Sequence, residues 1–437
     1  MLSQDDIKRK RDLSIRHMEL EGLEPIDFGE LENVVKKWMI VDDPGIIKLI
    51  PAIIIANRLP MKPLWIFLIG PSGGGKTQFI DAVTDFDIIY TLSLVTPSTF
   101  LSGNPGKADP SLLPKIDKKI LVFKDWTNIL SMNRDAKTEI MGQLRDIYDG
   151  HVKKAFGTGR VAEWGPGGKI GIIAAVTPIV DLQQQMNASL GERFIHYHIE
   201  MPDRKAVATQ VLKNNRNYDE MEIELKNAYY SFYKGIEIPE ELPVLPDEVQ
   251  NELISLSNFC TLARSGVIRD LGFKKEVLFV PAAEMPTRIT QQLNTLGIAI
   301  SIINKGILGN DMNILYKIAL DSIPQTNRMV MRVMSNADEQ TTSDIAVSLG
   351  YPTGPIKMYL ENLALLGVCQ RVKAGESGRG GVGDRWTLLP EFVGILRKYE
   401  KIEELDQEEI KRIKRESDED HSRNESEQVA DEMFDDF

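Results

Sequence analysis

The run Gly70-Pro-Ser-Gly-Gly-Gly-Lys-Thr77 follows directly on an apolar stretch, Leu64 to Ile69. A helix-like segment, Gln78 to Val83, comes next. Clustered glycines let the backbone curl so that consecutive N–H groups point at one anion. In this pattern Lys76 supplies positive charge to the β- and γ-phosphates of a nucleotide, and Thr77 offers a hydroxyl to Mg²⁺. The N-terminus of the following helix faces the same anion. A chance glycine-rich turn is the alternative, but the strand before and the helix after are the context this chemistry needs. Gly70, Pro71, Ser72, Gly73, Gly74, Gly75, Lys76, Thr77 and Gln78 are therefore expected to hold nucleotide and Mg²⁺. The guanine-reading Asn-Lys-x-Asp motif is missing, since Asn304-Lys305-Gly306 lacks the aspartate. ATP is expected rather than GTP.

Further buried strands are expected at Ile88–Leu94, Ile120–Phe123, Lys169–Val176 and Phe194–Ile199. Strands alternating with helices indicate an α/β fold with a parallel sheet. Residues 1–44 read as an N-terminal helical arm and 45–202 as the α/β core. Residues 203–320 turn helical, with no comparable strand run. In 321–398, helical periodicity covers Asn327–Met334, Thr342–Leu349 and Pro355–Leu366. The stretches Val368–Val372 and Arg385–Leu389 then flank a glycine-rich segment, Gly375 to Gly383. Three helices followed by a hairpin is the layout of a winged helix. Residues 399–437 are acidic and polar, and are expected to be disordered because they cannot bury enough apolar surface to offset their ordering entropy.

Charge is unevenly placed. The formal net charge is −12, of which −10 falls between Glu400 and Phe437. The body is close to neutral, so any nucleic-acid surface must be a local patch. Cys260 and Cys369 are the only cysteines and have no metal-ligand spacing. No disulfide framework and no zinc site are expected, which suits a reducing cytoplasm. The most apolar stretch, Pro44 to Ile69, is interrupted by Lys48, Asn57, Arg58, Pro60 and Lys62, so no membrane span is expected.

Nucleotide-hydrolysing enzymes with such a loop place a carboxylate at the end of a neighbouring strand, to hold the metal or activate water. Here Ile120-Leu-Val-Phe123 runs into Lys124-Asp125-Trp126. Asp125 is the candidate. Most such enzymes carry two successive acids, and this chain has Lys124 before Asp125. Asp125 is then either the metal-side acid or the water-activating one, with Lys124 in the other place.

The order of parts resembles an AAA+ ATPase across about residues 45–305. It is most similar to the group with a β-hairpin before the first sensor: minichromosome maintenance helicases, superfamily 3 helicases and enhancer-binding activators. Its P-loop core would carry a helical lid over 203–320. The hairpin reads as His151–Phe156, a Gly157-Thr-Gly159 turn and Arg160–Trp164. The resemblance implies that Lys153, Lys154 and Arg160 touch DNA phosphates. It makes Thr177, at the end of the next strand, a γ-phosphate sensor. Leu190-Gly-Glu-Arg193-Phe194 is similar to a Ser-Arg-Phe motif, which makes Arg193 a finger reaching a neighbouring subunit's ATP. Met285-Pro-Thr-Arg288 resembles the start of a lid helix with a second-sensor arginine; Arg288 takes that role, with Arg264 as the alternative. A site completed by a neighbour implies a ring, most simply a hexamer.

In the winged helix, Arg371, Lys373, Arg379 and Arg385 are candidate DNA contacts on the wing, whereas Lys357 is the only base of Pro355–Leu366. Protein docking is the alternative use of that domain. The acidic end, Asp431 to Phe437, looks like a partner-binding tip, set against a plain solubilising tail. The leading functional expectation is a DNA helicase or translocase, the replicative motor of a phage or other mobile element. A ring that remodels a protein partner is the second, although the Gly-Ala-Phe-Thr-Gly-Ala loop of enhancer-binding activators is absent. A nucleotide-gated scaffold with little turnover is the third.

Overall fold

The structure is a computed structural model. It describes residues 16 and 18–399, apart from 104–109, 182–191, 201, 271–274 and 373–383. After helical residues at 18–21 come α1 (Phe28–Trp38) and α2 (Gly45–Arg58). Then come β1 (Trp65–Ile69), α3 (Lys76–Asp81), β2 (Ile89–Thr91) and β3 (Ile120–Phe123). α4 (Thr127–Leu130) and α5 (Arg134–Asp149) precede a hairpin of β4 (Val152–Ala155) and β5 (Val161–Trp164). β6 (Gly171–Val176) and β7 (Phe194–His198) complete one five-stranded parallel sheet, in the order β2-β3-β6-β1-β7.

Both faces of this sheet are covered, which is why its strands are unbroken apolar runs. Ile66, Leu68, Ile173, Ala175, Ile195 and Tyr197 face one core, shared with α2 and α3. Trp65, Phe67, Phe123, Ala174 and Phe194 face the other, with Trp126 and the Ile140, Leu144 and Ile147 stripe of α5. Phe67 and Phe194 stack at 3.9 Å between ring centres. α2 is buried from Ile46 to Asn57 except at Lys48, so its sequence is apolar nearly all round rather than striped.

After β7 run α6 (Arg204–Asn214), α7 (Tyr218–Lys234), α8 (Asp247–Arg264), β8 (Ile268–Arg269), β9 (Val277–Phe279), α9 (Thr287–Ile303) and α10 (Met312–Asp321). The β8–β9 pair departs from the helical expectation for this region; such short strands leave no visible alternation. α10 lies along the outer edge of β7. Ser322 Oγ accepts from His196 N–H at 3.1 Å and Asp321 Oδ2 from His198 N–H at 2.8 Å. Side chains thereby satisfy an edge that would otherwise leave amides unpaired.

The last unit comprises α11 (Gln325–Ser335), β10 (Gln340–Thr341), α12 (Thr342–Leu349), α13 (Thr353–Leu365), β11 (Cys369–Val372) and β12 (Arg385–Leu388). Its strands form an antiparallel sheet in the order β10-β12-β11, and Trp386 is buried beneath it. Residues 390–399 return as a helix, where Phe392 stacks on Phe259 of α8 at 4.7 Å. The apolar residues of this unit merge with the core around α2. No described helix is long and apolar enough to cross a membrane.

Candidate functional site

The C-terminal ends of β1, β6 and β3 define one edge of the sheet. Gly70 follows β1, and the loop turns through Gly73 and Gly75, at φ 76° and 81°. A side chain at either position would be strained, so glycine is required there. Gly75 caps α3 in the left-handed conformation. Lys76 is buried, and its ammonium donates to Gly70 O at 2.6 Å and Pro71 O at 2.7 Å. Burial pushes the Lys76 pKa down, and the Asp125 carboxylate opposes that. A cation whose described hydrogen bonds go to carbonyls beside curled backbone fits a polyphosphate, which would give it a full countercharge.

Register aligns the other candidates. Ile69 pairs with Val176, so Thr177 lies level with Gly70. Phe123 pairs with Ala174, and Trp126 N–H donates to Ala175 O at 2.8 Å. Asp125 therefore sits beside the end of β6, where its Oδ1 accepts from Thr127 N–H at 2.8 Å. Thr77 and Asp125 are exposed at this edge and are the residues that would hold Mg²⁺. Lys124 does not point into the loop. It pairs with Asp81 of α3 at 2.5 Å, tying β3 to the loop helix.

Beside the loop opens a cavity lined by Met39 to Asp43, Gly73 to Gly75, Gln78, Glu200, and by Val207, Gln210, Asn214 and Tyr218 of α6 and α7. α6 holds the α1 end in place. Asn214 donates to Trp38 O at 2.7 Å and Gln210 to Lys37 O at 3.2 Å. Of the helices expected to form a lid, α6 and the start of α7 line this cavity, while α9 packs on α2 and α10 on β7. The cavity wall was missed in the sequence, because its two sides lie about 170 residues apart and share no motif.

A buried charge network underlies the wall. Tyr197 donates to Asp43, and Lys317 lies 3.8 Å from Asp43, 3.4 Å from Glu200 and 3.5 Å from Asp321. Burial favours a neutral Lys317, yet Asp321, Asp43 and Glu200 together raise its pKa above the ordinary range. Burial disfavours the Asp321 carboxylate too, but Lys317, His198 and Arg328 pull its pKa down to about 2. Arg328, from α11, bonds Asp321 and meets His198 Nδ1 at 2.7 Å. His198 also faces Asp181 at 3.5 Å. Burial lowers the His198 pKa to about 4 and raises that of Asp181 to about 6, so the two face each other largely uncharged near pH 5.

Arg193 and Arg288 come together elsewhere. Arg193 precedes Phe194, which pairs with Trp65, so it lies at the opposite edge of the sheet from Gly70. It pairs with Asp149 at 3.5 Å. Arg288 donates to Glu192 O and Glu284 Oε1, both at 3.0 Å. Both guanidinium groups lie over the Tyr148 ring, at 5.7 and 6.0 Å. Arg288 thus sits beside Arg193 and not at its own chain's Gly70–Thr77 loop. Arg264 is buried against Glu284 at 2.7 Å in the same cluster.

The β4–β5 hairpin presents Lys153 and Lys154 as ion pairs. Lys153 meets Glu163 at 2.9 Å and Lys154 meets Glu139 at 2.6 Å. The tip is anchored by Thr158, which donates to Gly103 O at 3.1 Å, and Arg160 is partly buried beside it. On the C-terminal unit, Arg371 pairs with Asp384, and Arg385 with Glu339 at 3.2 Å. Lys373, Arg379, Leu190 and the acidic tail lie outside the described residues.

No protein-family profile matches the chain, and no curated protein does. Among solved structures it is similar to an active helicase, Cch of SCCmec type IV, at 12% identity. That match covers 85% of this chain and 72% of the other, with a TM-score of 0.29. It is also similar to the A-form apo structure of the NrS-1 C-terminal region, at 16% identity over 66% and 69%, again with a TM-score of 0.29. Likenesses this loose carry no inference about fold or activity.

Proposed function

We propose that the chain is an ATP-hydrolysing motor of the AAA+ type that acts on DNA, working as a ring, most simply a hexamer. The observation that carries this reading is the alignment of Lys76, Asp125 and Thr177 along one sheet edge, with the β6 strand between the loop strand and the acid strand. Lys76 and the loop amides would bind the phosphates. Thr77 and Asp125 would hold the Mg²⁺, which supplies charge neutralisation at the transferring phosphoryl group. Thr177 would orient the γ-phosphate or the attacking water. Arg193, with Arg288 beside it, is too far along the sheet to serve its own site and suits a neighbour's. The β4–β5 hairpin supplies the surface that would follow a DNA strand.

The C-terminal three-helix and three-strand unit supports a winged-helix reading. Its arginines are countered by Asp384 and Glu339, and Lys357 stands alone on α13. That favours a docking role for this unit over base reading. Because Lys153 and Lys154 are paired with carboxylates, a ring that remodels a protein partner is the second reading.

Steady-state ATPase measured without DNA, with single-stranded DNA and with duplex DNA decides between them. Stimulation by DNA that is lost in the Lys153→Ala/Lys154→Ala double variant, with basal turnover kept, is the expected result. Turnover indifferent to DNA would favour the protein-remodelling ring.

A further inference from the structure

Lys153, Lys154, Arg371 and Arg385, which the sequence singles out for DNA, are all paired with carboxylates inside the fold. Another set of cations is not. α6 carries Arg204, Lys205 and Lys213, and Arg216 lies in the turn after it; all four are exposed. Among the described residues none of the four has a carboxylate partner. The acids nearest in sequence stand at the helix ends. Asp203 caps α6 by accepting from Ala206 N–H at 2.8 Å, and Asp219 and Glu220 open α7. α6 has no buried residue. Its Val207, Gln210 and Asn214 line the cavity. Lys205, Thr209, Leu212, Lys213 and Arg216 recur at three- and four-residue spacing, which sets them on the opposite stripe. Leu212, 76% exposed, sits in the middle of that stripe. The outward face of α6 is thus basic with an apolar centre.

The same chain contains a segment of matching chemistry. From Glu416 to Phe437 there are ten acids and one arginine. In Asp431-Glu-Met-Phe-Asp-Asp-Phe437 the acids flank Met433 and Phe434. The chain also leaves its described body close to α6. Lys398 lies over the Tyr316 ring of α10 at 5.2 Å, and the next residue of α10, Lys317, is 3.4 Å from Glu200, just before α6. One helix about 10 Å across separates these contacts, so the gap from Lys398 to the start of α6 is roughly 20 Å. A polar linker of about 30 residues spans roughly 30 Å as a coil. Single exposed ion pairs contribute about 0–1 kcal/mol, too little to hold a free peptide, but a tether supplies an effective concentration of about a millimolar. A nucleic-acid backbone is the other polyanion such a face suits, yet it offers nothing to Leu212. We propose that residues 425–437 dock along the outward face of α6 of the same chain, with carboxylates at Lys205, Lys213 and Arg216 and with Met433 and Phe434 at Leu212. Docked there, the segment screens a basic face beside the cavity from other polyanions. The contact needs neither nucleotide nor a second copy, and so goes beyond the motor reading.

The test is disulfide trapping in the full chain. Cys260 and Cys369 are buried, so thiols introduced by Leu212→Cys and Phe434→Cys react first. In a glutathione redox buffer at about 0.15 M salt, this pair is expected to close within one chain about tenfold faster than a Val347→Cys/Phe434→Cys pair. Val347 is 79% exposed and reports chance encounters with the segment. Lys205→Glu/Lys213→Glu/Arg216→Glu should bring the rate down to that reference. Salt at about 1 M should do the same, because screening then acts within about 3 Å. Adding Asp431→Lys/Asp435→Lys/Asp436→Lys to the reversed helix should restore it. Equal rates for the two pairs, indifference to the charge reversal, or links between chains rather than within one overturn the proposal. Affinity for a labelled oligothymidylate supplies the second readout. Asp431→Asn/Glu432→Gln/Asp435→Asn/Asp436→Asn should raise it several-fold, and the α6 reversal should cancel that gain. Affinity that falls with the α6 reversal but does not rise when the acids are neutralised would give the face to nucleic acid and overturn the proposal.

Discussion

In the proposed function, Lys76 is the residue on which nucleotide binding would turn. It is buried, and its described hydrogen bonds go to two carbonyls that a bound phosphate would replace. Lys76→Ala should weaken ATP binding by near a hundredfold, about 2–3 kcal/mol, and abolish turnover. Isothermal titration checks the first and a phosphate-release assay the second. His196 has the opposite relation to charge. It is fully buried against Phe67, at 5.5 Å, and burial lowers its pKa from 6.5 to about 3. A depressed folded pKa means that stability is present above pH 6.5 and is lost as pH falls towards the folded value. His198 adds to the loss between 6.5 and about 4. Each group contributes a slope of about 1.4 kcal/mol per pH unit across its window. His196→Phe should flatten the acid limb of a stability–pH curve measured by urea titration. An unchanged slope would remove His196 from the account.

Elements hold the site through a few contacts between distant segments. Asn57 at the end of α2 bonds Leu64 through both its amide and its carbonyl. A Cβ on Gly171, at the start of β6, would meet that Asn57 side chain at 2.5 Å. Gly171→Ala should therefore cost about 1–3 kcal/mol and shift β6, the strand that carries Thr177. Thermal melting reads the first effect, and a fall in kcat at unchanged ATP affinity the second. The motif at Gly70–Thr77 and the strands around it were legible because each is local: a glycine cluster, or a buried apolar run. The β8–β9 pair was not, since it is too short to show alternation. The place of Arg288 was not legible either. The expectation of a helix start near Pro286 matches α9, but the direction in which that helix carries Arg288 depends on its packing against the sheet and α2.

In the whole molecule, the helices after β7 and the C-terminal unit share one continuous core with α2. Phe392 on Phe259, Asn327 donating to Ala263 O at 2.8 Å, and Arg328 on Asp321 all cross between the two parts. Deleting residues 324–437 should not leave an intact core. It would uncover Phe259 and take Arg328 away from the buried Asp321, and removing one partner of a buried ion pair costs about 3–5 kcal/mol. A single calorimetric transition for the full chain, and dye-binding exposed surface in the deletion, are the expected results. Two separate transitions with a stable truncated core would contradict it.

The chain's local chemistry settles the loop, the strands that surround it and the acid at the end of β3. Each depends on residues within one turn or one strand, so spacing along the chain is enough. Which residues wall the cavity, which charges Lys317 balances, and that Arg193 and Arg288 share an edge remote from the loop depend on contacts across a hundred residues or more. Those pairings follow from how two sheet faces and one edge are covered, a packing outcome that no local pattern in the sequence encodes.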